Sequence, residues 1–136
     1  MKILGIEHIG IAVDNLDKDA PFWELLLKNC ELSSEEVIEQ KVMTKIFDTG
    51  RGKIELLEAM SSESPIAKFI DKRGKGVQHI CLQVDDIKLA IEELIESGVD
   101  LIDKTPRVGA EGYLIAFIHP RSTGRVLVEL AEKPVD

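Results

Sequence analysis

Residues 5–14 read GIEHIGIAVD, and residues 76–85 read GVQHICLQVD. A repeat of this kind constrains the fold more than any local propensity, because each copy has to build the same unit. Laying residue 5 over residue 76 gives an offset of 71, at which Gly5/Gly76, His8/His79, Ile9/Ile80, Val13/Val84 and Asp14/Asp85 are identical. Ile6/Val77, Ile11/Leu82 and Leu16/Ile87 are conservative matches. The copies end alike as well: Ile54-Glu55-Leu56 lies over Val128-Glu129-Leu130 at an offset of 74, three residues having been added in the second copy.

Each copy opens on a strand and continues into a helical pattern. Phe22, Trp23, Leu25, Leu26 and Leu27 supply the apolar stripe of the first helix. Pro21 requires regular helix to begin close to it. Leu89, Ile91, Leu94 and Ile95 supply the second stripe, with Asp85 or Asp86 as cap and Gly98 as stop. Strand-like runs follow at 41–48 and 53–58, around the turn TGRG, and at 113–119 and 125–130, around PRSTG. Between the copies Ser64-Pro65 opens a short helix that Gly74 closes. The expected fold is α+β, two βαβββ modules forming a curved mixed sheet around a metal-binding cleft. It reads as one domain over 1–136, with modules at 1–60 and 76–136 and a linker helix over 61–75.

Strand alternation sends neighbouring side chains to opposite faces. Ile9, Ile11 and Val13 then share a helix-covered face, while His8, Gly10 and Ala12 line the other; Ile80, Leu82 and Val84 against His79, Cys81 and Gln83 repeat the arrangement. Glu55 and Glu129, each between aliphatic neighbours, hold equivalent positions too. One strand histidine or one alternating glutamate is ordinarily structural. Two of each in matching places, related by a pseudo-twofold, point to one divalent transition-metal site with open positions.

The formal charge of −8 argues against coating nucleic acid. No run approaches the roughly 18 apolar residues of a membrane span, and MKILGIEHIG has no signal-peptide core. A cytoplasmic, soluble protein is expected. Cys30 and Cys81 have neither metal nor redox spacing and read as buried or half-buried thiols.

The paired βαβββ units with matching His and Glu resemble the vicinal oxygen chelate superfamily, which includes glyoxalase I, extradiol dioxygenases and antibiotic-resistance proteins. Over almost the full length the chain looks most like the methylmalonyl-CoA epimerase family, in EHIGIAVDNL, EVIEQKV, IELLEAMSSESPIAKFIDKRGKGVQHI, VDDI and PRVGAEGYLIAFIHPRSTGRVLVEL. The segments SPIAKF and GAEG…FIHP…GRVLVEL are the more specific; bacterial glyoxalase I can show the same His/Glu set. The resemblance implies a metal held by His8, Glu55, His79 and Glu129, most often cobalt(II), with zinc, nickel or manganese as alternatives. It implies an acyl-CoA substrate whose C2 epimers interconvert by proton removal and return, and a homodimer. Glu129 would double as a base. The family's second glutamate, on the strand after the EQ segment, is Thr44 here, which leaves Glu39 as the nearby candidate. Arg107, Gly109, Gly112, Arg121 and Ser122 are candidates for the CoA moiety, and His119, before a proline in a turn, reads as structural ahead of the alternative that it meets the substrate carboxylate. A lactoylglutathione lyase of the glyoxalase I type and a metal-free small-molecule-binding protein of the same superfamily are the alternative readings.

Overall fold

The computed structural model describes residues 1–135. Its elements are β1 (Ile3–Val13), α1 (Leu16–Leu26), β2 (Glu31–Val37), β3 (Val42–Asp48), β4 (Lys53–Ala59), α2 (Pro65–Arg73), β5 (Gly76–Val84), α3 (Ile87–Glu96), β6 (Arg107–Val108), β7 (Leu114–Ile118) and β8 (Val128–Glu132). Short 3₁₀ turns lie at Ile38–Gln40, Ala110–Gly112 and Pro120–Ser122. Strand, helix and three strands thus occur twice around a connecting helix, the α+β arrangement that the repeat implies.

The chain forms two compact units, His8–Gln78 and the chain from His79 onward together with Met1–Glu7. In the first, the strand order is β2-β3-β4-β1, antiparallel except for the parallel β1–β4 pair. In the second, β5 runs parallel to β8, and β8, β7 and β6 follow as antiparallel neighbours. The opening residues are tied into the second unit: the Lys2 amide donates to Asp85 Oδ1 at 3.0 Å, and the Lys2 carbonyl accepts from the Asp85 amide at 3.2 Å.

The helices cover one face of each sheet. Ile11, Val13, Phe47 and Leu56 pack beneath Leu16, Ala20, Trp23 and Leu27 of the α1 segment. Val84, Leu130 and Ala116 pack beneath Ile87, Ala90, Ile91 and Leu94 of α3. The two helices bury the same repeat positions, Leu16/Ile87, Ala20/Ile91 and Trp23/Leu94, at helical spacing of i, i+4, i+7. This corrects the expected stripes. Phe22, Leu25 and Leu26 are 60% or more exposed, and Leu89 and Ile95 also face outward; hydrophobic runs there conceal which residues hold the helix down.

Both helices start on a duplicated cap. Asn15 Oδ1 accepts from the Lys18 amide at 3.2 Å, and Asp86 Oδ1 from the Leu89 amide at 3.1 Å. A glutamate from the last strand of each module adds a second acceptor: Glu58 Oε1 takes the Leu16 amide at 2.6 Å, and Glu132 Oε1 takes the Ile87 amide at 2.8 Å. These anchors set the start of α1 at Leu16, so Pro21 falls inside the helix rather than near its beginning. Pro21 and Asp17, whose carbonyl loses its partner, are both exposed, so water can replace the missing bond. The expected strand from residue 125 begins only at Val128, since Arg125 has φ +78° and cannot run extended. Ser64 caps α2 as expected, its Oγ accepting from the Ile66 amide at 3.2 Å.

Candidate metal centre

Register places the buried polar side chains. In the first unit β1 and β4 pair with Gly10 opposite Glu55, so His8 and Glu55 project from one face. His8 Nδ1 lies 3.1 Å from Glu55 Oε2. In the second unit β5 and β8 pair with Cys81 opposite Glu129, which puts His79 and Glu129 on one face in turn. His79 Nε2 lies 3.0 Å from Glu129 Oε1. Gly10 and Cys81 are repeat partners, so one geometry has been built twice.

All four side chains are buried, with 6% of His8, 3% of Glu55, 5% of His79 and 4% of Glu129 exposed. Carboxylates so far from water are costly unless hydrogen-bonded or held by a cation. The donor chemistry fits a divalent ion, since imidazole nitrogen and carboxylate oxygen are usual ligands of such metals. Each His–Glu pair stands at hydrogen-bond distance. The face opposite the α1 core is not open throughout, however. Ala12 packs there with Val42, Leu57 and Ile66, so α2 covers one end of it.

In the second unit His79 meets the edge of Phe117, ring centroids 5.6 Å apart, as aromatic rings prefer. The Arg107 guanidinium lies 5.8 Å from the centroid of the same phenyl ring, within cation–π range. Asp103 organises this group: its Oδ1 is 3.1 Å from Arg107 Nε, and its Oδ2 accepts the Phe117 amide at 2.9 Å. Arg107 is thereby held two contacts from a metal-type ligand. Phe117 went unnoticed in the sequence, although it stands in the FIHP segment directly across from Glu129.

The remaining candidates lie as follows. Gly109 packs against Ile115, whose Cγ2 would be 3.0 Å from an added Cβ, and Gly112 has φ +75°, a conformation that favours glycine. Arg121 Nε binds Asp100 Oδ2 at 2.7 Å, and Ser122 Oγ accepts the Asp100 amide at 2.9 Å, so both fasten one turn. His119 Nδ1 accepts the Arg121 amide at 3.1 Å, a structural cap. Glu39 is exposed on the 3₁₀ turn between β2 and β3, off the sheet. Thr44 is 2% exposed on β3, and its hydroxyl donates to the Glu35 carbonyl at 2.8 Å.

The family model of the glyoxalase/bleomycin resistance protein/dioxygenase superfamily matches residues 7–117. The chain belongs to that superfamily. Among its relatives, the mitochondrial methylmalonyl-CoA epimerase of Dictyostelium discoideum is 37% identical over 94% of this chain and 78% of that protein. The structure superposes on methylmalonyl-CoA epimerase from Mycobacterium tuberculosis with a TM-score of 0.90, at 34% identity and over 98% of this chain and 90% of that one. A methylmalonyl-CoA epimerase in complex with methylmalonyl-CoA and NH4+ matches with a TM-score of 0.90, at 30% identity over 98% and 97% of the two chains. Among the described residues no helix is long and apolar enough to cross a membrane.

Proposed function

We propose that this chain interconverts the two C2 epimers of methylmalonyl-CoA by proton removal and return at C2, with a divalent metal held by His8, Glu55, His79 and Glu129. The observation that carries the reading is the buried His–Glu pair built twice, in a superfamily member similar over nearly its whole length to methylmalonyl-CoA epimerases. The C2 hydrogen lies between a thioester and a carboxylate and is weakly acidic. A bound metal supplies Lewis-acid stabilisation of the charge that develops on the thioester oxygen, worth several kcal/mol of barrier. Cobalt(II) is the metal proposed, as the resemblance to the epimerase family implies; the mixed N/O donor set suits a divalent transition metal.

The protein's own groups do the rest. Glu129 is a carboxylate able to take the C2 proton from one face, as general base, and in the reverse direction to deliver one to that face as acid, a contribution of about 10²- to 10⁴-fold. Arg107, braced by Asp103 and Phe117, is proposed to receive an anionic part of CoA through its guanidinium N–H donors. The glycine loop at 109–112 and the turn carrying Arg121 and Ser122 are proposed to line the CoA path.

The test is an NMR assay in D2O with cobalt-loaded protein and one epimer of methylmalonyl-CoA. Appearance of the other epimer carrying deuterium at C2 is the expected result. No exchange from either epimer, with metal bound, would sink the reading and turn attention to a glutathione hemithioacetal as substrate.

A further inference from the structure

Inversion at C2 needs proton transfer on both faces of the carbon, so one carboxylate does not suffice. On the face of His8 and Glu55 the β3 residue next to β2 is Thr44, and a neutral hydroxyl does not take a carbon-bound proton near neutral pH. Strand register shows what stands beside it. Glu35 of β2 is directly opposite Thr44, Thr44 is opposite Leu57 of β4, and Ile46 is opposite Glu55. Opposed residues project to the same side of a sheet, and alternate residues share it. Glu35, Thr44 and Glu55 therefore lie on one face, which is also the face of His8.

The other acidic residues of this face in the first unit are less suited. Glu31 is exposed at the start of β2. Asp48 Oδ1 accepts the Gly50 amide at 2.8 Å and closes the turn to β4. Glu39 is outside the sheet. Glu35 is half-buried, although β2 is the outermost strand of its unit, where a carboxylate ordinarily faces water. The Thr44 hydroxyl, at 2.8 Å from the Glu35 carbonyl, fixes β2 at that residue and leaves only a small side chain inward of it. Glu35 thus stands one strand spacing, about 4.8 Å, from Thr44 on that face.

We propose that Glu35 is the second acid–base residue of the epimerase reaction. In one direction the C2–H bond breaks, its electron pair passes into the thioester to give the enolate, and an O–H bond forms on Glu35. The group on the opposite face then returns a proton to C2, and the reverse direction exchanges the two roles. Thr44 is a positioning residue, acting through the Glu35 backbone.

The assignment rests on the proposed epimerase activity, and the experiment separates the two. Each epimer is incubated in D2O with cobalt-loaded wild type, Glu35→Gln, Glu36→Gln and the double variant Glu35→Gln/Thr44→Glu, with cobalt content and circular dichroism measured on each. Glu35→Gln is expected to lose inversion by about 10²- to 10⁴-fold while one epimer still exchanges its C2 proton without inverting. The double variant, which returns a carboxylate to the same face one strand inward, is expected to regain inversion at least about tenfold over the single one. Glu36→Gln, whose side chain alternates to the other face, stays within about twofold of wild type. Inversion by Glu35→Gln within about threefold of wild type overturns the assignment and leaves the epimerase reading intact. Loss of exchange from both epimers also overturns it, because more than one face's base has then been removed. Wild type that converts neither epimer overturns the reading itself, and the assignment with it.

Discussion

Replacing Glu132 with glutamine removes a charge from the start of α3 without removing an acceptor. The Ile87 amide is one of the helix's first N–H groups, which have no partner within the helix. Glu132 Oε1 takes it at 2.8 Å from a part-buried position. A charge-assisted hydrogen bond exceeds a neutral one by about 1 kcal/mol, a figure that already contains the about 0.3–1 kcal/mol of a negative charge at a helix N-terminus. Glu132→Gln should thus cost about 1 kcal/mol. Glu132→Ala, which also leaves the amide without its acceptor, should cost about 2 kcal/mol. With a urea m-value of about 1.5 kcal/mol/M for a chain of this size, the midpoints fall by about 0.7 M and about 1.3 M. Urea titration followed by far-UV circular dichroism measures both, and hydrogen exchange of the α3 amides should show the loss concentrated in its first turn. The equivalent Glu58→Gln should give a shift of similar size through α1, because the Leu16 amide is held at 2.6 Å in the same manner. Midpoints within about 0.1 M of wild type for both glutamine variants would refute the reasoning, since the charge would then contribute nothing to either helix.

Other measurements probe different parts of the molecule. Gly5 and Gly76 have φ +148° and +151° with open space where a Cβ would point. Gly5→Ala and Gly76→Ala should therefore each cost about 1–3 kcal/mol in urea melts through backbone strain alone. The Lys2 amide holds the Asp85 carboxyl below its ordinary 3.8, against a smaller opposing effect of burial. That contribution is complete above pH 3.8 and disappears as the pH falls through the lowered folded value, so wild type and Asp85→Ala should converge in midpoint below that range. Adding cobalt(II) to about a hundred times its dissociation constant should stabilise the protein by about 2.7 kcal/mol, read as a rise in Tm. Neither this rise nor a cobalt visible absorption band is expected in His79→Ala, and a full rise in that variant would speak against the ligand set.

The repeat made the alternation of elements legible, because residues 5–14 and 76–85 had to build equivalent strands. It also singled out His8, Glu55, His79 and Glu129, since four polar residues at matched positions between aliphatics stand out in any pair of copies. What stayed hidden depends on pairing between distant strands. Glu58 and Glu132 reach helix amides 42 and 45 residues away, a relation that no local pattern carries. Glu35 reads as one more surface acid until register sets it opposite Thr44. The buried sides of α1 and α3 were obscured for another reason: leucine-rich runs supply more apolar residues than the sheet below can cover, and only packing selects among them.

The tie between Lys2 and Asp85 has a consequence for the order of folding. Strands β2, β3 and β4 follow one another through short connections, so the contacts of residues 8–78 are mostly close in sequence. Lys2 and Asp85 stand 83 residues apart, and their pairing closes a long loop. The tie therefore belongs among the later contacts to form, and its loss should speed unfolding more than it slows folding.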